Sequence, residues 1–173
     1  MKFVLTCEHG GNEIPGRYRY IFKNEAAILN SHRGYDPGAL DLFRSLQEIA
    51  DFSRFNTISR LLIEVNRSQG HPQLFSEFSR NLSREEKKDI QDLYYFPYRN
   101  SVESKIAEFL AGGEKVIHLS VHSFTPKLNG EVRQADVGVL YDTKRTEEKE
   151  FCRQVKKQLR QQEETLNVRF NYP

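Results

Sequence analysis

The chain has 173 residues, 38% hydrophobic and 29% charged, a length and composition that fit one folded domain with a sizeable core. Its 26 basic and 24 acidic side chains are interspersed, so the net charge of +2 gives no basic stripe and argues against a nucleic-acid partner. Two cysteines make no disulfide framework, and neither a secretory leader nor an apolar run near the ~20 residues of a membrane span occurs, so a cytoplasmic, reduced protein with no membrane partner is expected.

In chain order, Lys2–Thr6 reads as a buried strand, followed by an irregular Gly-, Asn- and Pro-rich stretch to about Gly34 with a weak helical segment near Asn24–Asn30. Asp36-Pro37 looks like an N-cap and first helical residue. Leu40, Phe43, Leu46 and Ile49 follow at helical spacing to about Ala50. Arg54–Ile58 and Leu61–Val65 are strand candidates, and 67–83, with His71-Pro72, reads as a loop. Ser83-Arg-Glu-Glu86 is a capping-box pattern opening a helical region to about Leu110, broken before Pro97. Strand Lys115–Val121, a loop through Asn129-Gly130, strand Asp136–Tyr141, a charged helix capped by Thr146, and strand Leu166–Phe170 complete the chain. This alternation predicts an α/β domain over 1–173: a three-layer sandwich with a mixed, largely parallel central sheet and helices on both faces.

Two histidines end strands. His9 follows Phe3-Val4-Leu5 and precedes Gly10-Gly11, whose lack of a Cβ allows a sharp turn and leaves room for a ligand. His122 follows Val116–Val121. In parallel strands both reach the carboxyl edge of the sheet, where open α/β folds place their sites. Two imidazoles and a carboxylate are how a catalytic zinc is held with one position open, so a metal-dependent hydrolase is the leading expectation. His118 shares a face with His122 but lies about 13 Å away along the strand, too far to share one ion. The carboxylate is open at this point. Glu13 lies four residues beyond His9, Asp36 opens a helix, and Glu8 points to the opposite side if the strand persists.

Glu64 sits in an apolar run, where an unpaired carboxylate is costly, and Arg60 or Arg67 would be its partner. Arg133 could grip a substrate carboxylate through two parallel hydrogen bonds. Cys7, two residues before His9, offers a thiol–imidazole pair as an alternative nucleophile, without an evident oxyanion hole.

Five stretches together resemble the N-formylglutamate amidohydrolase family: Glu8-His-Gly-Gly-Asn-Glu-Ile-Pro15, His32-Arg-Gly-Tyr-Asp-Pro-Gly-Ala39, Ser59-Arg-Leu-Leu-Ile-Glu-Val-Asn-Arg67, Leu119-Ser-Val-His-Ser-Phe-Thr125 and Val132-Arg-Gln-Ala-Asp-Val-Gly-Val-Leu-Tyr141. The resemblance implies a fold akin to zinc carboxypeptidases and muramoyl-alanine amidases, and hydrolysis of a C–N amide bond in an N-acyl amino acid. It further implies Zn2+ held by His9, Asp36 and His122, Glu13 as general base or substitute ligand, and Arg133, Arg67 and Asn66 as substrate-binding groups. Chains of this pattern continue beyond Asn-Tyr-Pro with a late strand carrying a glutamate. A shortened form is therefore expected, and a metal- or ligand-binding domain without turnover is the competing expectation. The actual substrate and the oligomeric state are not written in these motifs.

Overall fold

The computed structural model describes residues 1–128 and 130–172. Asn129, in the expected Asn129-Gly130 loop, and the terminal Pro173 lie outside the described residues. Two compact units are present, Met1–Phe124 and Thr125–Pro173.

In the first unit, strand β1 (Lys2–Cys7) lies between β2 (Phe52–Phe55) and β3 (Val116–Ser120), all parallel. Alternation along β1 sends its side chains to opposite faces. Leu5 and Cys7 pack with Val121 and with Ala39 and Phe43 of a helix at Ala39–Leu46. Val4 packs with Tyr98 and Val102 of a longer helix at Phe96–Ala111. Helices thus cover both faces of a parallel sheet, as the alternation predicts. With α1 at Ala26–Leu29 and a further helix at Arg84–Ile90, these four are α1 to α4 in chain order, α2 being Ala39–Leu46, α3 Arg84–Ile90 and α4 Phe96–Ala111.

Several local expectations shift. The helix expected from Asp36 begins at Ala39, and its N-cap is Gly38 at φ 80°. The Asp36 carbonyl still accepts from the Ala39 N–H, at 3.1 Å, but its carboxylate is engaged elsewhere. Leu61–Val65 is not a strand. Ser59 folds it into a turn, accepting from the N–H groups of Leu61 at its hydroxyl and of Leu62 at its carbonyl. All five side chains are buried, four of them in the main core. A short apolar run has the same composition whether it is a buried strand or a core-plugging turn, so periodicity alone does not separate the two. The Ser83 capping box forms, and the helix does not break before Pro97. It passes through a π-helical turn at Gln91–Tyr95, which places the proline in the first turn of α4.

The second unit pairs β4 (Lys127–Leu128) with β5 (Glu131–Val132) antiparallel, and β6 (Val137–Val139) with β7 (Val168–Phe170) in parallel. Helix α5 (Thr146–Gln162) connects β6 to β7. Its N-cap is Arg145 rather than Thr146, without a side-chain cap. From sequence the β4–β5 hairpin was read only as a loop through Asn129-Gly130, although Asn-Gly is a two-residue hairpin signal. Among the described residues no helix is long and apolar enough to cross a membrane.

Candidate functional site

The β1 ladder carries its direction past the strand. Asn56 donates its N–H to the Cys7 carbonyl at 2.9 Å, and Gly10 donates to the Asn56 carbonyl at 3.0 Å. Gly11 is small for a reason other than a turn or a ligand: a Cβ there would meet the Thr57 carbonyl oxygen at 2.7 Å. The glycines let the 55–58 segment approach, and that approach pins His9 at the sheet edge. The Asp36 N–H donates to the His9 carbonyl at 2.9 Å, so the main chain itself sets the aspartate beside the histidine. On the other side the Val121 N–H donates to the Thr6 carbonyl at 2.8 Å, which delivers His122 to the same edge.

Three ligand-type atoms converge there. Asp36 Oδ2 lies 2.8 Å from His122 Nδ1 and 3.4 Å from His9 Nδ1, and the two Nδ1 atoms are 3.2 Å apart. His9 and Asp36 are buried, while the His122 side chain is 35% exposed, so the cluster opens to solvent on one side. Around a tetrahedral zinc with bonds near 2.0–2.1 Å, neighbouring donors sit about 3.3 Å apart. The triangle has that size.

The outward nitrogens are tied down. His9 Nε2 donates to Glu64 Oε1 at 2.5 Å. Glu64 Oε1 also accepts from the Asn66 N–H at 3.0 Å, and Oε2 takes the Arg60 guanidinium at 2.8–3.0 Å. Arg60 reaches Asp36 Oδ1 as well, at 3.3 Å. His122 Nε2 lies 2.9 Å from Ser120 Oγ and 3.5 Å from Glu8 Oε2. Glu8 accepts from Ser120 Oγ at 2.5 Å and from the Tyr98 hydroxyl at 2.9 Å.

The electrostatics favour positive charge at the centre. Burial alone would raise the Asp36 carboxyl, but hydrogen bonds and charge from His122 and His9 outweigh it and hold the group far below the usual carboxylate range. Burial would likewise raise Glu64, yet His9 and Arg60 bring it down to about 2. Burial would lower His9, and hydrogen bonds to Asp36 and Glu64 raise it. The donor set therefore fits a cation such as Zn2+: a carboxylate that stays ionised and two imidazoles whose outer N–H groups are committed to acceptors.

Glu13 is not brought into this cluster. It is exposed, and its carboxylate accepts from Thr57 Oγ1 at 2.9 Å. Between the two candidate third ligands, Asp36 is the one whose carboxylate meets both histidines. Asn66 and Arg67 are exposed and follow Glu64; Asn66 touches the site through its backbone N–H, and the Arg67 carbonyl accepts from Tyr95 at 2.8 Å. Arg133 belongs to the second unit, its N–H donating to the Pro126 carbonyl at 2.8 Å. His118 bonds Thr6 Oγ1 at 2.8 Å, and His71 accepts from the Gln73 N–H in its own turn. Cys7 is fully buried and burial pushes its thiol up to about 12, which removes it as a nucleophile at neutral pH.

Of the outer groups, Glu64 with Arg60 was legible as a buried acid needing a cation. Tyr98 and Ser120 were not. Glu8 carried a signal that could have found them: an acid ending a buried strand needs donors, and alternation aims it at the α4 face with Val4 and Thr6.

No curated protein matches the chain. The crystal structure of a gene product from Agrobacterium tumefaciens shares the fold at TM-score 0.80 and 30% sequence identity, over 99% of this chain and 69% of that one. The family model described as N-formylglutamate amidohydrolase matches residues 1–173. The chain therefore belongs to the N-formylglutamate amidohydrolase family, and hydrolase chemistry is what that membership implies.

Proposed function

We propose that this protein is a zinc-dependent amidohydrolase that cleaves a C–N amide bond of an N-acyl amino acid, an N-formyl acidic amino acid being the first candidate. The observation that carries the reading is the convergence of His9 Nδ1, His122 Nδ1 and Asp36 Oδ2 within 2.8–3.4 Å of one another, each histidine held from behind. His9, Asp36 and His122 would hold the ion. When bound, it lowers the pKa of a coordinated water toward neutrality and polarises an amide carbonyl.

The remaining work falls to the chain. Arg60 holds Asp36 and Glu64 in place and helps keep Glu64 ionised, the two histidines keep Asp36 ionised, and Glu64 keeps the His9 ring in one orientation. Glu8 and Glu64 already accept at both oxygens, so neither is available to take a proton from the attacking water. Glu13, exposed just past His9, is the carboxylate we assign that proton transfer. Arg67 and Asn66, exposed just past Glu64, are assigned the substrate carboxylate, with arginine chosen for its two-pronged geometry.

The contact of Glu13 with Thr57 favours a second reading, in which the chain binds a metal or ligand without turnover. Purified protein assayed for metal content and for formate release from N-formyl amino acids decides between them. The enzyme reading expects release that is lost in Glu13→Gln with metal retained. Metal retained without release by the wild type supports the second reading, and no metal uptake contradicts both metal assignments.

A further inference from the structure

One flank of the first unit gathers positive charge that the metal cluster does not use. Past the Ser83 capping box, Arg84, Lys87, Lys88 and Gln91 recur at intervals of three and four residues, so α3 and the turn after it present them on one face. The acids of the same helix point away from that face. Glu86 closes the capping box and accepts from the Tyr20 hydroxyl at 3.0 Å, and Asp89 pairs with Arg17 at 2.6 Å. Together with Arg80 and the loop at 69–75, the basic face encloses an open groove of about 510 Å³, room enough for a small molecule. No acidic side chain among the described residues lines it. The walls are tied down. Lys87 is half-buried, its ammonium donating to the Arg80 carbonyl at 2.5 Å and lying 5.6 Å from the centre of the Phe75 ring. Across the groove Leu74 is packed in the main core, and its carbonyl accepts from the Glu64 N–H at 2.9 Å. Lys88 is neutralised by Asp92 at 2.5 Å, but the exposed guanidinium groups of Arg80 and Arg84 meet no carboxylate among the described residues.

We infer that this groove is a binding site for a small molecule carrying two or more linked phosphate groups. Arg80, Arg84 and Lys87 bring three positive charges that no side chain answers, more than a single carboxylate balances. Cations crowded around a concave surface raise the local potential and draw in an anion of matching charge. The two guanidinium groups offer forked donors that fit phosphate oxygens, and the Lys87 ammonium, with one hydrogen given to the Arg80 carbonyl, keeps two for a ligand. The cations of α3 are spread over about 6 Å of helix axis, which one phosphate leaves partly unfilled and a linked pair covers. The backbone N–H of Glu86 is already taken by the Ser83 side chain, so recognition falls to the side chains. Over the whole chain the charges nearly cancel at +2, so the patch is local and suits a small polyanion rather than a strand of nucleic acid. None of His9, Asp36 and His122 lines the groove, and the inference stands whether or not the zinc reading does.

The test is calorimetric titration of the full chain with inorganic tripolyphosphate at low ionic strength, in the wild type and in Arg80→Gln, Arg84→Gln, Arg44→Gln and Asp36→Ala. Saturable binding of one tripolyphosphate per wild-type chain is expected, weakening as salt is added. Loss of either groove arginine removes charge-assisted hydrogen bonds and should weaken binding about tenfold or more. Both arginines are exposed and unpaired, so the melting temperature should not move. Arg44, exposed on α2, controls for net charge, and its variant should bind within about twofold of the wild type. An equal loss in Arg44→Gln overturns the groove as the site, as does a wild type that shows no saturable binding. Orthophosphate or citrate binding as tightly as tripolyphosphate overturns the assignment to linked phosphates. Comparison of ADP with pyrophosphate separates two sources of the same chemistry: tighter ADP binding points to a nucleotide, equal binding to a free phosphate chain, and both support the site. Asp36→Ala should retain tripolyphosphate binding. Binding lost in that variant but kept in both groove variants would place the polyanion on the metal, which overturns the groove and leaves the zinc reading intact.

Discussion

Removing the His9 imidazole strips a partner from Glu64 as well as a ligand from the cluster, so His9→Ala is expected to lose metal and also destabilise the fold by about 1–3 kcal/mol, the cost of an unsatisfied buried polar group. His122→Ala should lower metal affinity more than about 100-fold, beyond the loss of an outer partner, and because it takes a donor from the buried Asp36 carboxylate it should also lower the melting temperature. Proton linkage gives a further check. The Glu64 carboxyl lies at about 2 in the folded chain against an ordinary 4.5, so it contributes stability above about pH 4.5 that is lost as pH falls toward 2. Urea unfolding of the metal-free protein should show a gap between wild type and Glu64→Gln that is wide at pH 6 and narrows by pH 3; a gap independent of pH would refute the assignment. Cys7 should resist thiol reagents until the protein is unfolded, as its burial and high pKa require.

At the scale of elements, the close approach of the 55–58 segment to the Gly10-Gly11 turn is a packing constraint with a direct test. Gly11→Ala places a Cβ against the Thr57 backbone and should lower the melting temperature and metal affinity together, because the same approach seats His9. Ser83→Ala, by contrast, removes a remote helix cap and should cost about 1 kcal/mol by denaturant unfolding while zinc affinity stays unchanged. The contrast between these two positions parallels what could be read in advance. Caps, strand-end histidines and alternating apolar runs are local signals, and the Ser83 box, β1, β3 and both histidines were legible. Leu61–Val65 was misread as a strand because its apolar run matches a buried turn equally well. Asp36 was read locally as an N-cap and through the family resemblance as the third ligand; the cap reading fails because Gly38 takes that place and the Asp36 carboxylate is claimed by two imidazoles and a guanidinium, which nothing local reveals. Tyr98 was invisible because its role depends on the crossing of α4 over β1, a contact 90 residues apart in sequence.

Over the whole molecule, the three converging residues span positions 9 to 122 and all belong to the first unit, although they arrive from three separate stretches of chain. A metal that binds only the folded arrangement must stabilise it, by about 2.7 kcal/mol at a free concentration one hundred times the Kd. Thermal unfolding should therefore shift upward with zinc in the wild type and not in His122→Ala. The ordered motifs made the family visible from sequence and pointed to Asp36 through the resemblance, and the fold added the geometry of the three residues and what stands behind each ring. The most direct measurement is metal stoichiometry by mass spectrometry and elemental analysis on wild type, His9→Ala, Asp36→Ala and His122→Ala proteins. One zinc per wild-type chain, with none in the three variants, is the expected result. A wild type without zinc, or zinc retained when Asp36 is removed, would contradict the site described here.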